Sequence, residues 1–196
     1  MSKIKINKMD AARRQIDAAI RMTFADEDPV AIHSVISAGN RIVRDLCAKR
    51  GDIKSYLRFT DWIRDGCEKQ FWQAFNASAN FIKHADEDES DAILDLDDEA
   101  SDFLIVFASK WYRDLGNPAS REMNTFVMWW AAQHDGMVNP EVISHFERAG
   151  ISKSFGELKR ILAVFDRKDR LKAGHILLTT GVPTLSRVPN LARTNR

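Results

Sequence analysis

Apolar residues recur along most of this chain at three- and four-residue steps, the period of helices with one buried face. Ala12, Ile16, Ile20 and Phe24 mark a first helix from about Asp10 to Phe24, preceded by a loose arm at residues 1–8. Its other face carries Arg13, Arg14, Asp17 and Arg21, with Asp17 and Arg21 spaced as an i,i+4 ion pair. Asp28 and Pro29 supply a cap and a first helical residue for a second helix. Ile32, Val35, Ile36, Gly39, Ile42, Val43 and Leu46 form its core face, and Gly51 closes it after Arg50. Residues 51–59 read as a short connection anchored by Ile53, Tyr56 and Leu57. Thr60 is placed to cap a third helix that reaches Lys83, with Cys67, Phe71, Ala74, Phe75, Ser78 and Ile82 on its apolar face, widened by Trp72 and Phe81.

Past an acidic stretch, Phe103, Leu104, Phe107, Trp111 and Leu115 define a fourth helix from about Asp98 to Leu115, ended by Gly116-Asn117-Pro118. Ser120 opens a fifth, with Met123, Phe126, Val127, Trp130 and Ala131 inward and Gly136 as its stop. Asn139 and Pro140 start a short sixth that ends at Gly150, and Ser154 with Glu157 makes a capping box for a seventh. After Lys172 the run AGHILLTTGVP reads as a short strand or an extended tail, and residues 182–196 as disordered. With short connections, no internal repeat and no sustained alternation, the expected fold is all-α. It is an antiparallel bundle of about six or seven helices over residues 9–165, followed by a basic, partly disordered C-terminal extension over 166–196.

Composition refines this picture without changing it. Eleven Phe and five Trp in 196 residues can fill a sizeable core. The net charge of +1 conceals an asymmetry: residues 1–150 hold 19 basic and 25 acidic side chains, a balance of −6, whereas residues 151–196 hold 10 and 3, a balance of +7. A basic segment of that kind can bind nucleic acid. Cys47 and Cys67 lie within helical apolar patterns, as buried thiols of a reducing compartment would. No stretch approaches the roughly 18 apolar residues of a membrane span, and the basic N-terminus lacks the apolar segment of a signal peptide. The expected location is therefore cytoplasmic.

The candidate chemistry lies in two polar stripes, each beside an apolar one. His33, Ser37, Asn40 and Arg44 share a face of the second helix, and Asn76, Asn80 and His84 share a face of the third. Each is either a solvated edge or the lining of a cleft. If the two helices pack antiparallel the stripes converge, and His33 and His84 with Asp86 could hold a metal. Alternatively, one histidine could act as a general base while Arg44 or Lys83 meets a phosphate. Otherwise His84 simply favours its helix C-terminus through the dipole. From Asp86 to Glu99 there are nine acids and no base; the spacing of Asp86, Asp88, Ser90 and Asp97 resembles an EF-hand, but Asp91 stands where the loop needs Gly and Asp97 where it needs Glu. An exposed acidic loop is the expectation. Phosphate-loop, Cys-x-x-Cys, His-Glu-x-x-His, Glu-x-x-His and Gly-x-Ser-x-Gly signatures are absent, and no cofactor is implied.

The segments AARRQIDAAIRM, DPVAIHSV and ANFIKHADED resemble a widespread family of small bacterial helical proteins to which no activity is assigned. The pattern covers roughly residues 10–115, and its most specific part is an Asn-Phe-x-Lys-His-Ala-Asp turn. The matching positions are His33, Asn80, Phe81, Lys83, His84, Ala85 and Asp86. A second resemblance is to HEPN domains, dimeric helical bundles that often act as metal-independent ribonucleases and carry Arg, four to six residues, then His. His84 has Ala77, Ser78 and Ala79 where that spacing places Arg, while Arg170 and His175 match it. The functional expectation is protein–protein interaction, with a homo-oligomer built through an aromatic face that includes Trp129 or Trp130, since adjacent helical residues diverge by about 100°. The rival is a HEPN-like ribonuclease or metal-dependent enzyme using His84.

Overall fold

A computed structural model describes residues 3–60, 66, 68–84, 92–97, 99–134 and 152–181. It is all-α, with eight helices and no strand among those residues: α1 (Lys8–Phe24), α2 (Pro29–Arg50), α3 (Lys54–Thr60), α4 (Glu68–Lys83), α5 (Ala100–Asp114), α6 (Arg121–Gln133), α7 (Ser152–Leu162) and α8 (Arg167–Thr180). None of them is long and apolar enough to cross a membrane. The chain falls into two compact units, residues 1–23 with 27–123 and residues 24–26 with 124–196.

In the first unit, local chemistry sets the helix ends. The Asn7 side chain accepts the Asp10 N–H at 2.8 Å, so α1 begins at Lys8, two residues earlier than the apolar pattern suggests. Asp28 Oδ1 accepts the N–H groups of Val30 at 2.9 Å and Ala31 at 3.0 Å, and Gly51, at φ 71°, donates to the Cys47 carbonyl. Gly39 sits where α1 and α2 approach closely: a Cβ there would lie 3.2 Å from Gln15 Cβ and 3.3 Å from Ile16 Cγ1. Ile16, Ile20, Ile36, Val43, Ile105 and Trp111 fill the core, each worth about 1.5–3 kcal/mol when buried.

Several expectations fail here. Arg13, not Arg21, pairs with Asp17, at 3.2 Å, and Arg21 reaches across to Glu122 at 2.7 Å. Asp17 is also the acceptor for the Ser120 hydroxyl at 2.5 Å, and that hydroxyl caps α6 by accepting the Met123 N–H at 3.1 Å. Thr60 ends α3 rather than capping the next helix, which is described from Glu68 onward. The connection expected over 51–59 therefore contains a helix, and its main anchor is Phe59 rather than Leu57, which is exposed. The Phe59 ring packs on Phe71, Trp72, Phe75, Phe107 and Trp111 at centroid separations of 4.9–6.1 Å, joining α3, α4 and α5.

In the second unit, Trp129 and Trp130 are both buried, at 1% and 8% exposure, so neither presents the exposed aromatic face expected to meet a partner. From Thr125 onward α6 is buried on most of its sides: Thr125, Phe126, Met128, Trp129, Trp130, Ala131 and Ala132 are all inside, whereas Arg121 and Asn124 in its first turns are exposed. Trp129 packs on Phe24 and Phe126 and donates its indole N–H to the Arg170 carbonyl at 2.8 Å. The stretch after Lys172 is neither strand nor tail through Thr180. It continues α8, which Asp166 caps by accepting the Asp169 N–H, and which buries Leu171, Ala173, Gly174 and Leu177. Ser154 lies inside α7 rather than before its first residue. The expected sixth helix at 140–150, the stop at Gly136, Cys67 and the tail at 182–196 lie outside the described residues.

Candidate functional site

The two polar stripes do converge in part. Arg44 faces Asn76, and Ser37, Asn40 and Arg41 face Asn76, Asn80 and Lys83, so α2 and α4 run antiparallel. Helix α5 completes the seam. His33 Nδ1 lies 3.1 Å from Ser101 Oγ, Asn40 Nδ2 donates to the Leu104 carbonyl at 3.3 Å, and Arg50 donates to the Leu115 carbonyl at 3.3 Å. These pairings ascend together in both helices, so α2 and α5 run parallel.

Arg44 is buried, and its guanidinium is contacted at its centre and at two of its nitrogens. Cζ stands 4.7 Å above the Trp72 ring, and Nη1 donates to Asn76 Oδ1 at 3.0 Å. The Asn76 amide nitrogen donates to the Trp72 carbonyl one turn back, at 2.5 Å, which fixes the amide so that its oxygen faces Arg44. Nε is 3.6 Å from Asp45 Oδ1. Arg44 is thus held by aromatic, amide and carboxylate partners.

His33 is buried. Desolvation, reinforced by the positive charge of Lys83, holds its imidazole pKa below 6.5, so the ring is neutral near pH 7. His84 does not join it. It is exposed just past the end of α4, where its N–H donates to the Asn80 carbonyl at 2.9 Å, and it does not line the pocket between α2 and α4. His33 and His84 thus differ in setting, one buried and one exposed, and neither lines the pocket between α2 and α4. Asp86, the third proposed metal ligand, lies outside the described residues, and among the described residues no three His, Cys, Asp or Glu side chains are grouped to hold a metal ion. What the seam encloses is a pocket of about 20 Å³ lined by Ser37, Asn40, Arg41, Asn76, Asn80 and Lys83, with Phe75, Ala79 and Leu104. That is room for roughly one water or one ligand oxygen.

The sequence stripes missed Ser101, which fixes His33, and Trp72, which faces Arg44. Trp72 was readable, four residues before Asn76 on the same helical face. Ser101 carries no signal, because its partner is 68 residues away.

A larger concavity lies between α3 and α5. It has a volume of about 550 Å³, a floor of Ile53, Phe59, Phe107 and Trp111, and a rim of Arg50, Asp52, Lys54, Lys110 and Asp114. Arg50 pairs with Asp52 at 3.0 Å and Lys110 with Asp114 at 3.0 Å, so each wall carries both signs of charge. Beneath it Cys47 is a free, buried thiol whose pKa burial pushes up to about 11, with Asp114 adding to the rise and Arg50 opposing it; it is not a nucleophile at neutral pH.

The Arg170–His175 spacing has a structural explanation. Arg170 Nε donates to the carbonyls of Leu162 at 3.2 Å and Phe165 at 2.8 Å, closing the end of α7, while His175 is exposed. No protein-family model, no curated protein and no solved structure matches the chain.

Proposed function

We propose that this is a cytoplasmic, non-enzymatic helical protein that works by protein–protein contact, forming a homodimer through the groove between α3 and α5. The observation that carries this reading is the groove itself: an aromatic floor of Phe59, Phe107 and Trp111 inside a rim of paired opposite charges. A second copy is the occupant its charge pattern suits. Three basic and two acidic rim residues leave little net repulsion between copies. A two-fold axis brings the basic residues of one rim against the acidic residues of the other, as an isologous contact requires. The free Cys47 thiol agrees with a reducing compartment.

The rival readings have less support. An enzyme built on His84 finds that residue exposed, beside a seam that admits one oxygen-sized group. A nucleic-acid contact through the basic C-terminal segment finds Lys172 engaged by Asp169 and Arg170 by two carbonyls.

Light scattering at micromolar concentration tests the proposal. The expected particle is twice the 22.3 kDa chain mass. The double variant Lys54→Glu/Lys110→Glu, folded by circular dichroism, should shift it toward monomer by at least about tenfold in Kd. A wild-type monomer would overturn the dimer, and a dimer indifferent to both reversals would overturn the choice of face.

A further inference from the structure

The small pocket between α2 and α4 has a chemical bias that neither the packing of the bundle nor a dimer contact requires. Among the described residues, no carboxylate lines it. Its mouth has two cations, Arg41 and Lys83, and its polar walls are hydroxyl and amide groups. Among the described residues, Arg41 has one ion-pair partner, Asp45, loosely at 3.7 Å with both side chains exposed, and Lys83 has none. At the inner end, the Ser37 hydroxyl is buried, with the residue only 9% exposed and no hydrogen-bond partner among the described residues. A buried hydroxyl left unpaired costs about 1–3 kcal/mol, so such a group ordinarily has a partner.

We infer that this pocket is a binding site for the oxyanion end of a small ligand, a phosphate or carboxylate group that presents one oxygen to the Ser37 hydroxyl while Arg41 and Lys83 neutralise its charge at the mouth. The volume of about 20 Å³ sets the stoichiometry: one oxygen enters and the remainder of the group stays outside. Asn80, on the same wall as Lys83, offers an amide N–H₂ to a second oxygen. Arg44 does not serve, because Asn76 and Trp72 already hold it. The depressed basicity of His33, to which Lys83 contributes, is consistent with the positive field of Lys83 reaching into the seam. An anion at the mouth offsets that field, so binding should make His33 easier to protonate.

The experiment follows the His33 imidazole and the Ser37 and Asn80 amides by NMR in the full chain, titrating sodium phosphate, acetate and chloride separately at constant ionic strength. The expected result is a saturable shift centred on these three residues, at about millimolar affinity, with the His33 titration midpoint moving upward when the anion is bound. Saturation by phosphate alone assigns a phosphate ligand; saturation by acetate as well assigns a carboxylate. Lys83→Gln, on an exposed residue that leaves the fold intact, should weaken binding at least about tenfold, and Ser37→Ala should weaken it with Lys83 still present. No saturation by either oxyanion up to about ten times that affinity overturns the site. So does equal saturation by chloride, or binding that is unchanged in Lys83→Gln.

Discussion

The guanidinium of Arg44 stands over the indole of Trp72, with Cζ 4.7 Å from the ring centroid, and Asn76, one turn further along the same helix as Trp72, accepts a hydrogen bond from it. The two contacts use different atoms of the guanidinium, Cζ over the ring and Nη1 to the amide, a reach that the single nitrogen of an ammonium does not have. Arg44→Lys should therefore destabilise the protein by about 1–2 kcal/mol despite keeping the charge, and Arg44→Ala by about 2–3 kcal/mol. Urea denaturation measures both. A double-mutant cycle with Trp72→Leu should return a coupling of about 0.5–1 kcal/mol; zero coupling would mean that the stacking contributes nothing.

His33 makes stability depend on pH in a stated direction. Its folded pKa is depressed below 6.5 by burial and by Lys83, so between those two values the unfolded chain binds a proton that the folded one does not. This contribution is full above pH 6.5 and is lost as pH falls from 6.5 through the folded value. Stability should drop on acidification across that window, and His33→Gln should flatten the drop. An equally steep profile in the variant would assign the dependence to other groups.

Ser120 bonds Asp17 and caps α6 with one hydroxyl, so Ser120→Ala should cost about 1–2 kcal/mol at pH 7. Asp17 has its pKa raised, chiefly by burial, with the Ser120 bond as the largest opposing influence. A raised carboxyl loses stability as pH rises from 3.8 through its folded value, and removing Ser120 makes that loss larger. The penalty of Ser120→Ala should thus shrink when the protein is studied near pH 4. Asp17→Asn, which can still accept from Ser120, should be milder at pH 7. Equal penalties at both pH values would refute the coupling.

In the second unit, Gly174 faces the ring of Phe24, and a Cβ at that position would run into the ring. The ring cannot step aside, because Phe126 and Trp129 pack on it at 5.5 and 5.3 Å. Gly174→Ala should destabilise by about 1–3 kcal/mol even though alanine favours the helix by nearly 1 kcal/mol. Pairing it with Phe24→Leu should recover part of the loss in a thermal melt. A stabilised Gly174→Ala protein would show that the approach is not tight.

What the sequence determined by itself is local. The apolar period placed α1, α2 and α5, and Asp28-Pro29 with Gly51 marked the ends of α2, because caps and i,i+4 neighbours act within one or two turns. The same locality explains its errors. Asp17 has an arginine four residues away on either side, and only Glu122, which takes Arg21, decides between them. Helix α8 presents glycine and threonines that weaken its local signal, and its buried residues Leu171, Ala173, Gly174 and Leu177 belong to the core of the second unit. Trp129 and Trp130 diverge around α6 as the helical angle demands, yet both are covered, because Met128 to Ala132 are all buried and that stretch has no outward face. The tertiary structure alone decided which polar groups meet. It brought Arg44 to Asn76 and His33 to Ser101, and it left His84 outside. Those choices span 32 and 68 residues, and a period of 3.6 residues carries no information about partners at that distance.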